Sequence, residues 1–469
     1  MSGLYFNYNP VIHSLIHHSL IHNYSPSITM KNLKWISKRA FLLYLPAFMA
    51  LMLQISCSKN GKTGSETAAS TTPTMEIPAL YERRGELAKA EEWQRTKEKV
   101  EELKQQIKKS PGDVKPRLQI AMIYLAEARI TGEHPYYYPA ILTILDGVLA
   151  MDYKNFEATT FKASVKMSQH QFGEARELAE KARQLNPNNA YVYGVLVDAN
   201  VELGNYEEAV AMSDKMQQLK PSLESYSRAS YLREIYGQYP SSIEAMKLAV
   251  VAGLPGSEPQ CWSKNILGQL YETTGQLDNA EQQYKEILAM RPSYAFALGG
   301  LARVHKARKE YDKALVMLDK ASAIMPEFSF HEEMAEIYDL QGDKEKAQKK
   351  YAEVVQMLDE DAQSGHAVDL EMCKLYTQAG QLDSALVYGL KEYKKRPNNI
   401  DVNHALAWVY FKENNIKQAQ QHIQTALRTG SKNPELLQKA GAIELASGNA
   451  GEGNKLIAQA KKTNPKFTL

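Results

Sequence analysis

Histidine, cysteine and tryptophan are the side chains here with the most specific chemistry, and their spacing excludes more than it offers. His13 and His17, like His18 and His22, stand four apart, the spacing that puts two imidazoles on one helical face as metal ligands. They lie in an uncharged, Leu/Ile-rich stretch, residues 1–29, that reads instead as sequence ahead of a true start at Met30. His134, His170, His305, His331, His366, His404 and His422 are dispersed. Cys57, Cys261 and Cys373 match neither a zinc spacing nor a disulfide framework. There is no GxSxG, no P-loop, no HExxH and no glycine-rich dinucleotide turn. A chain with no catalytic residue, no metal and no cofactor is expected.

Charge narrows the partners further. The formal net charge is +2 over 469 residues, and residues 1–56 contribute four cations and no acid, so the remainder carries −2. A nearly neutral body gives no electrostatic case for nucleic acid. The cations Lys31, Lys34, Lys38 and Arg39 precede an apolar run from Ala40 to Ile55 and then Ser56-Cys57. Basic start, apolar core and small residue describe a secretory signal. A small residue directly before Cys resembles the lipobox of bacterial lipoproteins, although Gln54 stands where Leu is usual. The resemblance implies a signal peptide over 30–56, lipidation of Cys57 and multiple acyl chains, which anchor stably where one chain binds only reversibly. By the same resemblance, Ser58 after the cysteine implies sorting to the outer membrane, and Lys59 and Lys62 with no acidic run imply a face toward the periplasm. Residues 57–78 are rich in Ser, Thr and Gly and read as a flexible tether, with a reach of roughly 25 Å.

The elements that position everything else follow from a period. Pro187 and Pro221 are 34 apart, as are Pro292 and Pro326. In the unit 261–294, Leu267, Gly268, Tyr271, Ala280, Tyr284 and Pro292 fall at positions 7, 8, 11, 20, 24 and 32. This pattern resembles the helix–turn–helix tetratricopeptide repeat, and the resemblance covers residues 114–467. It implies an all-α, right-handed solenoid of about ten units, preceded by a capping helix over 79–110. Units at 156–189, 190–223, 261–294, 295–327, 366–399 and 400–433 keep phase; the unit at 224–260 is irregular. Positions 8, 20 and 27 need Gly or Ala where two helices cross, and Pro at 32 ends the second helix because it lacks an amide hydrogen. Each unit is expected to pack only on its neighbours.

In this family the first helix of each unit lines a concave groove with its positions 2, 5, 9, 12 and 13. Those positions hold Tyr191 in the third unit, Trp262, Asn265 and Gln269 in the fifth, Phe296, Arg303 and Lys306 in the sixth, and His404, Trp408 and Phe411 in the ninth. Exposed aromatics beside polar groups are the usual composition of a peptide-binding hot spot. The seventh unit adds acids, Glu332, Glu336 and Asp339. No unit carries the Lys and Asn at positions 5 and 9 that grip chaperone tails in some relatives. The expected function is a non-catalytic, envelope-anchored scaffold binding a protein or peptide in its groove. Two alternatives are a glycan- or nutrient-binding outer-membrane lipoprotein and an assembly subunit of an envelope enzyme complex.

Overall fold

The computed structural model describes residues 76–467, which fall in one compact unit and contain helices and no strand. Cys57 and the signal peptide and tether expected over 30–78 lie outside the described residues, save for the last three tether positions. Helix α1 spans Glu91–Lys109. Ten antiparallel pairs follow: α2 (Lys115–Thr131) with α3 (His134–Met151), α4 (Phe156–Ser168) with α5 (Phe172–Leu185), α6 (Ala190–Glu202) with α7 (Tyr206–Leu219), α8 (Leu223–Ile235) with α9 (Tyr239–Ala252), and α10 (Glu258–Thr273) with α11 (Leu277–Met290). The second five are α12 (Ala295–Ala307) with α13 (Tyr311–Ile324), α14 (Phe328–Gln341) with α15 (Lys344–Gln363), α16 (Asp369–Gln378) with α17 (Leu382–Lys395), α18 (Ile400–Lys412) with α19 (Ile416–Ala426), and α20 (Pro434–Ala446) with α21 (Ala450–Thr463).

Local chemistry sets these boundaries. An asparagine caps the next first helix: two residues past the proline, Asn189 accepts from the Tyr191 amide and Asn399 from Asp401 and Val402, and directly before Pro434, Asn433 accepts from Leu436. Where the two helices of a pair cross, Ala175, Ala209, Ala280, Ala314, Ala385 and Ala419 are fully buried. A Cβ on Gly268 would lie 2.6 Å from the Tyr284 ring. The larger core residues form clusters that bridge successive pairs.

The N-terminal cap differs from expectation. Residues 76–84 form no helix, a 3-10 turn covers Gly85–Lys89, and the helix begins only at Glu91. Non-helical backbone leaves its carbonyls free for the first pair: the Tyr124 hydroxyl donates to Pro78 O at 2.6 Å and Tyr137 to Tyr81 O at 3.3 Å. Arg83 reaches inward from the same segment to the buried Glu127 at 2.6 Å. A helix from Ala79 would have kept those carbonyls for itself. The tyrosines at 136–138 open α3, with Tyr137 and Tyr138 buried, so they are packing residues.

Pairs also touch far beyond their neighbours, contrary to the nearest-neighbour expectation. The turn inside each of the first five pairs packs on the end of the pair five places later. Gly132 faces Met325. Ala367 N–H donates to Gln169 O at 2.9 Å, and Gln171 Nε2 to Gly365 O at 2.7 Å. Asn399 Nδ2 donates to Glu202 O at 2.9 Å, and Ile400 N–H to the Tyr206 hydroxyl at 2.9 Å. Gly237 faces Gly430 O, and Asn464 Nδ2 donates to Glu272 O at 3.1 Å. Glu92 of α1 keeps the register by meeting Arg291 at 3.4 Å. The last five pairs therefore lie on the first five along a continuous seam.

Candidate functional site

That seam turns part of the concave wall into the wall of a cavity of about 910 Å³. The first helices of pairs six to ten supply most of it: Phe296 and Lys306 from α12, Glu332, Glu336 and Asp339 from α14, Glu371 and Lys374 from α16, His404 and Trp408 from α18, and Glu435 and Lys439 from α20. Helix α15 adds Tyr351 and Asp361. The opposite side comes from the turns of the first three pairs and from α10, through Arg129, His134, Tyr138, His170, Glu202 and Trp262.

Of the residues expected in a groove, Trp262, Phe296, Lys306, His404 and Trp408 line this cavity. The other five do not. Tyr191 is buried in the core, with its hydroxyl 2.6 Å from Ser164 Oγ. Asn265 is buried, and Gln269 is half-buried off the wall. Arg303 bridges three successive pairs, with Nε 2.9 Å from Glu272 and Nη1 3.3 Å from Glu333. Phe411 stacks on Trp408 at 4.9 Å between ring centroids and packs against the core of pairs nine and ten. Arg303 and Phe411, in pairs six and nine, are held off the wall by the contacts just given, whereas for Tyr191 and Asn265 the reason is that the inward positions around them are filled. Arg228, 1 % exposed, occupies that space in a bidentate pair with Asp198, at 3.0 and 2.7 Å, against Gly194.

Trp262 is itself largely core, only 6 % exposed, with Arg129 4.4 Å above its ring and Phe296 edge-on at 5.4 Å. Its indole Nε1 has no hydrogen-bond partner. Trp408 is more open and is flanked by Lys412 and Lys439 at 5.6 and 5.1 Å. Lys306 pairs with Glu336 at 2.8 Å.

Several wall residues were not singled out from sequence. Lys374 occupies an inward position of the eighth unit, so the same phase rule reaches it. His170 stands at a turn position where glycine is usual, with φ of 56°, and that substitution is its only signal. Its Nδ1 lies 3.1 Å from Ala367 O across the seam, its ring meets His366 edge-on at 4.2 Å, and Glu371 is 3.7 Å away.

Burial disfavours the charged form of several wall groups that have no counter-ion close by. Burial, reinforced by Glu336 and Glu333, pushes the Glu332 carboxyl up to about 8. Burial raises Glu327 to about 7 and Asp361 to about 6. Burial lowers His134 to about 4 and both His170 and His404 to about 3, so these rings are neutral at physiological pH. Among the described residues no group of three His, Cys, Asp or Glu side chains could hold a metal ion.

The repeating helix pair is matched by a family model described as tetratricopeptide repeat, over residues 166–228 and 273–337. These are tetratricopeptide repeats. The array around them is an α-solenoid of such units, a fold built for protein interaction. The chain is similar to the TPR repeat-containing protein YpiA of Bacillus subtilis, 26% identical over 277 residues, 57% of this chain and 62% of that one. It is also similar to the cellulose synthase 1 operon protein C of Komagataeibacter xylinus, 26% identical over 157 residues, 31% of this chain and 12% of that protein. The chain thus spans less than two thirds of either relative's length. Among solved structures, a tetratricopeptide protein of Thermus thermophilus, TTC0263, is 19% identical with a TM-score of 0.36, over 44% of this chain and all of that one. Human IFIT1 is 15% identical with a TM-score of 0.45, over 78% of this chain and 86% of that one.

Proposed function

We propose that this protein is a non-catalytic tetratricopeptide scaffold that holds a segment of a protein partner in its cavity and is tied to the cell envelope by lipid on Cys57. One observation carries the binding half: the inward positions of pairs six to ten, filled in the earlier pairs, here surround about 910 Å³ of space of mixed apolar and polar character. That size lies within the range of ligand pockets, roughly 300–1,000 Å³. A photo-crosslinking amino acid at position 408 tests it in intact cells, with position 387, exposed on the outer side of α17, as control. Position 408 should capture one dominant polypeptide and position 387 none; equal capture at both, or oligosaccharide alone at 408, defeats the reading.

The envelope half rests on the Ser56-Cys57 context and the basic, apolar run before it. Cys57→Ala should move the protein from the membrane pellet to the soluble periplasmic fraction, and unchanged pelleting counts against lipidation. Among the described residues no helix is long and apolar enough to cross a membrane. A second reading, an assembly subunit of an envelope enzyme complex, is favoured by the similarity to the operon protein. Co-purification of a stoichiometric enzyme through position 408 would select it.

A further inference from the structure

Resting on the reading of the cavity as a polypeptide site, we propose that the bound segment presents a basic side chain, lysine or arginine, to Glu332. The argument starts from which carboxylates on α14 already have a cation. Glu333 is met by Arg303 at 3.3 Å, and Glu336 by Lys306 at 2.8 Å and by Gln378 Nε2 at 3.0 Å. Glu332, directly before Glu333 in sequence and on the cavity wall, makes no hydrogen bond or ion pair within the described residues. The groups that face it are Glu333 and Glu336 on its own helix, Lys306 on α12, Lys374 on α16 and Tyr351 on α15. Lys374 acts on it only through the longer-range field and forms no close pair. Glu327 and Asp361, elsewhere on the same wall, also have no cation beside them.

Two further groups indicate that the missing partner is a peptide. Trp262, 6 % exposed, leaves its indole N–H without an acceptor. His170, 8 % exposed, engages Ala367 O through Nδ1, so in the neutral ring Nε2 is an acceptor, and it too is unpartnered. Both residues line the cavity with Glu332. A donor and an acceptor left open in a buried wall match one C=O and one N–H, which a polypeptide backbone supplies together.

The chemistry of docking is a proton exchange. A buried carboxyl surrounded by like charges keeps its proton; an arriving ammonium or guanidinium stabilises the carboxylate, and the proton leaves to solvent. Affinity for a basic segment should therefore rise with pH up to about 8 and level off above it.

A displayed random nonapeptide library selected on the full chain tests this, followed by a synthetic selected peptide and its citrulline or norleucine counterpart. The expected result is enrichment of Arg or Lys at one position and a loss of about thirtyfold in affinity for the neutral counterpart. In Glu332→Gln, a variant that keeps shape and removes the charge, the discrimination and the pH slope should both vanish while the melting temperature does not fall. Enriched peptides without a basic residue, or equal affinity for the citrulline form, overturn the basic-side-chain assignment and leave the cavity reading intact. No enrichment at all overturns the cavity reading beneath it. Spermidine is the remaining arm: binding as tight as the selected peptide, abolished by Glu332→Gln, would make a free polyamine the ligand and overturn the polypeptide assignment.

Discussion

The inner walls of the first five helix pairs and of the last five are built from the same positions of the repeat, yet one is packed and the other encloses space. In the third pair, position 5 is Gly194, and Arg228 from the next pair fills the room it leaves. In the ninth pair, position 5 is His404, and it lines the cavity. The turns differ in the same way. A Cβ on Gly204 would lie 2.4 Å from the Asn398 backbone, while one on Gly380 would meet nothing. Repeat phase therefore states which way a side chain faces; whether that direction is occupied depends on other units, the next pair for Gly194 and the pair five places later for Gly204.

Substituting the two turn glycines gives the largest expected contrast. Both have positive φ, 78° and 77°, so Gly→Ala costs about 1 kcal/mol at either from conformation alone. Gly204→Ala also forces the seam apart and should lose about 4 kcal/mol in urea denaturation. Equal losses at the two sites would deny the seam. Tryptophans sharpen the comparison next. Trp262→Ala should lose about 3 kcal/mol of stability because it empties core space. Trp408→Ala should keep its melting temperature and weaken partner capture about thirtyfold, as an anchor in an open wall does. The reverse pattern would place the binding surface in the first five pairs.

A smaller effect is expected at Tyr191. Removing its hydroxyl in Tyr191→Phe should cost about 1 kcal/mol through the lost Ser164 contact, with capture unchanged. Smallest is a pH effect on the open wall. Glu332 has a folded value raised above its ordinary one, so its stabilising contribution is complete below about 4.5 and is lost as pH rises toward 8. Thermal melts across that window should show Glu332→Gln gaining on the parent as pH increases. A gap that stays constant would mean the carboxyl is not held neutral.

The helix pairs were legible in the sequence because their causes are local. Asn399 two residues after Pro397, Gly380 in a turn and Ala385 at a crossing each act within one unit, so a 34-residue period exposes them. The direction of Trp408, His404 and Lys306 was legible for the same reason. Burial of Tyr191 and Asn265 was not, since their neighbours across the wall lie in other units and leave no mark in the period. Gly204 and Gly380 occupy equivalent positions and look identical in sequence, although only the first is pressed by backbone. At the N-terminus, the capping helix expected over 79–110 begins later, because tertiary contacts of Arg83 and the Tyr124 hydroxyl hold the preceding segment out of the helix.

Repeat arrays are usually regarded as extensible, gaining or losing a unit with little effect on the rest. Here Asn464 on Glu272, Asn399 on Glu202 and Ala367 on Gln169 act as rungs with a common stride of five pairs. Excising or duplicating one internal pair would misalign each rung that spans the edit, as dropping a stitch offsets every row above it. This solenoid has a fixed gauge in its interior, and changes in length are tolerable only beyond its outermost pairs.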